Sequence, residues 1–226
     1  MYNSYYFDFA AGLIVFALLI AILLKKLYKT SSSKIFIYLV VLLLLDTTCD
    51  AVVCFPHLLS VGWIEVFTTA YHIIRNLTVV VYLWYLFCLC GIDKNVWKNK
   101  KLFIGIVTPI TLVIIMVFIN PLTHLVFYYE TKEITNEAGE VVNILIYNRG
   151  PFIIVSYLCG IFYLIATLVV IIRFRSLFTL REIISICMIF PLTLVSLILQ
   201  YIFPKILIEM FATAASAVFI SVTIEK

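Results

Sequence analysis

Asp46 and Asp50 stand four residues apart in an otherwise apolar stretch, and His72, Arg75 and Asn76 stand together in the next one. Residues four apart share a helix face, so each group forms a polar face on its own helix. Ionisable side chains in a lipid-compatible segment are costly, and they usually turn into a bundle where they pair, relay protons or hold a ligand. With a rise of about 1.5 Å per residue, Asp46 lies roughly 16 Å from the start of its run and Arg75 roughly 18 Å from the start of the following antiparallel run. Both then fall near the middle of a hydrocarbon core about 30 Å thick, and Asp46 with Arg75 and Asp50 with His72 are the expected pairs. Two readings stay open: pairs that only neutralise one another and lock two helices, or a polar cavity for a ligand or a proton. Other chemistry is not in evidence in the sequence. There is no GxSxG, HExxH, phosphate-cradling glycine loop or CxxC pair, and His57, His72 and His124 have no metal-ligand spacing. No catalytic residue, metal or cofactor is expected.

The elements that must position these residues are read from hydropathy. Of 226 residues, 65% are hydrophobic and 12% charged, far from the roughly 25% charged of a soluble domain. Apolar runs at about 6–24, 35–54, 63–90, 102–118, 151–172, 183–203 and 206–223 are each of spanning length, which predicts an all-α membrane protein, a seven-transmembrane helix bundle forming one domain over 1–226. Pro109 and Pro191 lie inside the fourth and sixth runs and should bend them. Trp63, Trp84 and Trp97 are expected interfacial anchors among membrane lipids. The six cysteines sit in or beside apolar runs and imply no disulfide framework. Cys88 and Cys90, next to a basic loop, could be acylated, although a small apolar core role suits them better.

Between the fourth and fifth runs, residues 120–150 form the one long polar connection. Its halves HLVFYYE and VVNILIY flank the glycine-bearing stretch TNEAGE, the pattern of a β-hairpin. Twelve of the sixteen Lys and Arg residues fall on the opposite side from this segment. The positive-inside rule therefore puts the amino terminus and the hairpin outside and the carboxyl terminus in the cytoplasm. The clustering of Lys and Arg in short loops reads as a topology signal, and nucleic acid is not an expected partner. Glu65 and Glu209, opening the third and seventh runs, read as solvated interfacial residues. Gln200, near the outer end of the sixth run, could line a cavity or cap a helix.

Asn120, Pro121 and His124, then Phe127 and Tyr128, then Tyr147, Arg149, Gly150 and Pro151, with Pro191 and Gln200 and the YLWYL stretch of residues 82–86, occur in an order that resembles a known family. The chain is similar to the seven-helix amino-terminal sensor region of bacterial histidine kinases and, more closely, of membrane-bound diguanylate cyclases of the GGDEF type. That resemblance implies a sensor in the bacterial inner membrane that detects a small extracytoplasmic or membrane-embedded ligand. It also implies transmission through the seventh helix to a cytoplasmic output domain, which would begin near Lys226, and work as a homodimer. The binding or signalling candidates are His124, Tyr128, Tyr147 and Arg149 near the outer face, with Asp46, Asp50, His72, Arg75, Asn76 and Gln200 within. The alternative is a small transporter or channel using the intramembrane Asp/His/Arg group.

Overall fold

A computed structural model describes residues 5–26, 29–55, 59–135, 141–202 and 208–224. In chain order the helices are α1 (Tyr5–Leu24), α2 (Ser31–Val53), α3 (Val61–Leu89), α4 (Asp93–Lys98), α5 (Lys100–Phe118) and the single turn α6 (Asn120–Thr123). Strands β1 (Phe127–Thr135) and β2 (Val141–Arg149) follow, then α7 (Ile153–Arg173), a 3₁₀ turn at Arg175–Leu177, α8 (Leu180–Cys187), α9 (Ile189–Ile202) and α10 (Glu209–Thr223).

Helices α1, α2, α3, α5 and α7 are each long and apolar enough to cross a membrane. Large apolar side chains cover their outward faces, among them Leu13 and Phe16 of α1, Ile104 and Ile115 of α5, and Leu158 and Ile165 of α7. A continuous apolar exterior on fully hydrogen-bonded helices is stable in hydrocarbon, not in water. The chain is an integral membrane protein.

Local sequence fixes the helix ends. Thr30 caps α2 by accepting from Ser33 N at 3.1 Å, so α2 begins at Ser31, ahead of the apolar run at 35. Thr179 and Glu182 form a reciprocal capping box that starts α8. At the end of α3, Gly91 takes a positive φ of 68°, Ile92 N donates to Phe87 O at 3.0 Å and Gly91 N to Cys88 O at 3.2 Å. This termination needs a residue free of Cβ strain. It turns the basic loop into the short helix α4.

The sixth run, expected over 183–203 with a bend at Pro191, is two helices, broken at Met188 between α8 and α9. Pro191 lacks the N–H that would bond the carbonyl four residues back, at Cys187, and the helix parts there. Pro109, by contrast, lies within an unbroken α5. The last run is shorter than expected: α10 has 15 residues, a rise of about 22 Å. Residues 56–58 and 203–207, where the second run gives way to the third and the sixth to the seventh, lie outside the described residues.

Two apolar cores share α3. Tyr82, Tyr85 and Leu86 face one with Phe36, Leu39 and Leu43 of α2, Val15 of α1 and Ala214 and Ala217 of α10. Leu83 and Phe87 face the other with Ile106, Ile110 and Val113 of α5, Tyr163 of α7 and Phe127 of β1. Buried polar tips are satisfied across helices: Tyr82 Oη donates to Ile186 O at 2.8 Å, and Tyr163 Oη donates to Ile106 O.

The hairpin is antiparallel, with Phe127 opposite Arg149, Tyr129 opposite Tyr147 and Thr135 opposite Val141. It forms as the aromatic- and β-branched-rich halves predict, with residues 136–140 of the expected turn outside the described residues.

Candidate functional site

The hairpin is fastened at its base. Asn120, 1% exposed, accepts from Val126 N at 2.7 Å and Phe127 N at 3.2 Å and donates from Nδ2 to Phe127 O at 2.9 Å. His124 ends the α6 turn in the left-handed region at φ 53°. On the return strand, Gly150 N donates to Val126 O at 2.8 Å and Phe152 N to Leu125 O at 2.9 Å. A Cβ at Gly150 would strike the Leu125 carbonyl, so the close crossing of the two chain segments requires glycine there.

From this base the hairpin lays one face on α3. Strand alternation sends Phe127 and Tyr129 to the same side, and cross-strand pairing places Tyr147 beside them. Tyr129 Oη and Thr68 Oγ1 are hydrogen-bonded at 2.6 Å, and Tyr147 Oη and His72 Nε2 at 3.3 Å. The His72 ring stacks on Phe127 with centroids 5.2 Å apart, and Phe127 stacks on Tyr147 at 6.0 Å. Burial pushes the Tyr147 phenol up to about 12 and raises that of Tyr129, so both remain hydroxyl donors at neutral pH.

One helical turn further along α3, Arg75 forms a salt bridge with Glu209, the first residue of α10, and donates to Tyr71 Oη. Its charge also reaches Asp46 and Asp50 of α2 and Asp8 in the first turn of α1. Cys54 Sγ, at the end of α2, lies 4.0 Å from Asp8 Oδ2. One guanidinium is therefore paired with Glu209 and lies within electrostatic reach of three further carboxyl groups on α1 and α2.

These contacts revise the expected pairs. Arg75 bridges to Glu209 and not Asp46, and His72 turns to the hairpin and not to Asp50. The group lies at mid-length of α3 but toward the hairpin end of α1, α2 and α10, because α3, at 29 residues, is much longer than α10 at 15. Asn76 is buried and donates to His72 O at 2.8 Å, its own helix. Tyr128 points to the side of β1 away from Phe127 and Tyr129, and Arg149 is exposed, with its charge felt at His72. His124 is exposed beside the hairpin base. Gln200 falls in α9, but its side chain lies outside the described residues. Thus Tyr147, His72 and Arg75 are brought together, with Asp46 and Asp50 beyond Arg75. Tyr128, His124 and Asn76 do not join them.

Three participants escaped the sequence reading. Glu209 looked interfacial, yet an arginine within a span requires a counter-ion, and Glu209 opens the last helix. Asp8 was hidden in the polar flank of the first run. Tyr129 was passed over for Tyr128, and only the register of β1 against β2 decides between them.

The family of the N-terminal 7TM region of histidine kinase matches residues 9–226, and the chain belongs to that family. It is a membrane sensor region of the histidine-kinase type; the match names histidine kinases and not cyclases. No match was found among curated proteins or among solved structures.

Proposed function

We propose that this chain receives an extracytoplasmic or membrane-embedded ligand at the junction of the hairpin with α3, and that the response leaves through α10 to a cytoplasmic output domain. The observation that carries this reading is the Arg75–Glu209 salt bridge, which ties the helix under the hairpin to the first residue of the last helix. A ligand that displaces Tyr147 or Tyr129 from α3 favours one arrangement of α3 over another, and only such a difference can drive a change of state. In this reading the chain is a single domain with seven spans, α8 and α9 together forming the sixth and α10 the seventh. The distribution of Lys and Arg supports an outside amino terminus and hairpin and a cytoplasmic carboxyl terminus in a bacterial inner membrane. The functional unit is a homodimer, since a sensor that controls phosphotransfer between two output domains needs a pair of final helices.

The test joins the chain to a histidine-kinase output domain and measures autophosphorylation in membranes. Glu209→Gln and Tyr147→Phe should each shift basal activity several-fold relative to the parent. Unchanged activity in both, in protein that reaches the membrane folded, would leave the salt bridge and the hairpin contact as structural features only.

A further inference from the structure

The charges beneath the hairpin do not balance. Arg75 forms its salt bridge with Glu209, and its charge is also felt at Asp8, Asp46 and Asp50. Two carboxyl oxygens, Asp8 Oδ1 and Asp46 Oδ1, are buried with no hydrogen-bond partner, on residues only 1% and 2% exposed. They belong to side chains of α1 and α2 that both feel the Arg75 charge, and Cys54 at the end of α2 reaches the other Asp8 oxygen, Oδ2, at 4.0 Å. Burying more ionised carboxylates than there are cations to pair with them is costly, and the ordinary escape is to take up a proton.

The surrounding groups leave no other escape. On α2 the neighbours are Cys49 and Cys54, on α3 Tyr71 and His72, and on the hairpin Tyr129 and Tyr147. None of these supplies a second permanent cation, His72 is engaged by Phe127 and Tyr147, and the other nearby cation, Arg149 of the hairpin, is exposed with its charge felt at His72 and Tyr147. A bound metal ion would also neutralise the excess. Among the described residues, however, no three His, Cys, Asp or Glu side chains converge as a ligand set.

We infer that the group is a proton-binding site in which Asp8 and Asp46 hold protons that cut the carboxyl excess from three to one, leaving the less buried Asp50 ionised, and that their release draws Arg75 from Glu209 toward α2. The chemical ligand is the proton itself. This inference holds whether or not the hairpin receives a ligand, so its failure would leave the receptor reading intact. The two states differ in which carboxylate holds the guanidinium: Glu209 on α10 when Asp8 and Asp46 are protonated, Asp46 and Asp50 on α2 when they are not.

The experiment is infrared spectroscopy of the whole chain in phosphatidylcholine nanodiscs, following the protonated-carboxyl C=O stretch from about pH 5 to about pH 10. The wild type should show a buried protonated-carboxyl band at neutral pH that disappears on alkalinisation. Asp8→Asn and Asp46→Asn should each remove part of it, while Glu209→Gln should leave it in place. If one asparagine variant fails to fold, the other carries the comparison, and the wild-type titration stands without either. Absence of the band in folded wild type, or its survival at undiminished intensity in both asparagine variants, overturns the proposal. Loss of the band on adding sodium chloride at constant pH, with choline chloride inert, also overturns it and makes the site one for a metal cation.

Discussion

Replacing Asn120 with alanine should free the hairpin from the bundle without unfolding the helices. The asparagine supplies three hydrogen bonds to backbone groups of Val126 and Phe127, both of them 1% exposed. Each bond contributes about 1 kcal/mol net, so losing all three costs about 3 kcal/mol, and about twice that if the three backbone groups stay dry and unpaired. At 1.4 kcal/mol per tenfold, the lower figure raises the population with an opened hairpin base about a hundredfold. Hydrogen exchange read by mass spectrometry in nanodiscs measures this directly. Peptides covering 124–135 and 141–152 should exchange about a hundredfold faster in Asn120→Ala, while peptides from the middle of α3 keep their wild-type rate. Thr131→Ala, at an exposed site on the same strand, is the control and should leave every rate unchanged. Wild-type protection of both hairpin peptides in Asn120→Ala would refute the reasoning, because three buried bonds cannot be lost at no cost unless the hairpin is held elsewhere.

Gly150→Ala should destabilise the protein by about 1–3 kcal/mol, as overpacking against a backbone carbonyl does, because its Cβ would collide with Leu125 O. Thermal unfolding followed with a thiol-reactive dye is suited to this test, since all six cysteines are free. Tyr147 gives a pH dependence. Its phenol rises from the ordinary 10.0 to about 12, so the docked state binds its proton more tightly than the undocked state. The associated stability is fully present below pH 10.0 and is lost as pH rises toward about 12. Tyrosinate absorbance should show a late-titrating phenol in wild type that Tyr147→Phe removes, and hairpin exchange in that variant should lose its dependence on alkaline pH.

Much of this architecture is legible in the sequence, because lipid enforces it. Apolar runs locate α1, α2, α3, α5 and α7 within a few residues, and the aromatic and β-branched richness of HLVFYYE and VVNILIY around a glycine-bearing stretch locates the hairpin. Helix ends are less visible to hydropathy, since caps such as Thr30 and Thr179 act through single hydrogen bonds in polar segments. Side-chain partners are harder still. Spacing puts Asp46 and Asp50 on one face and His72 and Arg75 on another, but which faces meet depends on helix rotation and depth. The short α10 brings Glu209 to a level where Arg75 can reach it, and nothing in the intervening chain announces that. Strand parity is likewise silent until the register is known: shifting the docking face by one residue exchanges Tyr128 for Tyr129.

The structural role of α3 follows from combining these contacts. Thr68, His72 and Arg75 lie on one face of the helix, the first two engaged by the hairpin and the third by α10. From His72 to Arg75 the rise is about 4.5 Å, less than one turn. Both residues are fixed in a continuous helix whose two sides are buried in separate cores. A rotation or translation of α3 at the hairpin contact must therefore move the Arg75 guanidinium as well, unless the helix unwinds between the two residues. Asn76 opposes unwinding, because its Nδ2 is tied to His72 O within that same turn. The hairpin contact and the Arg75–Glu209 salt bridge are mechanically one unit, and a perturbation of Tyr129 or Tyr147 has its nearest downstream consequence at the first residue of α10.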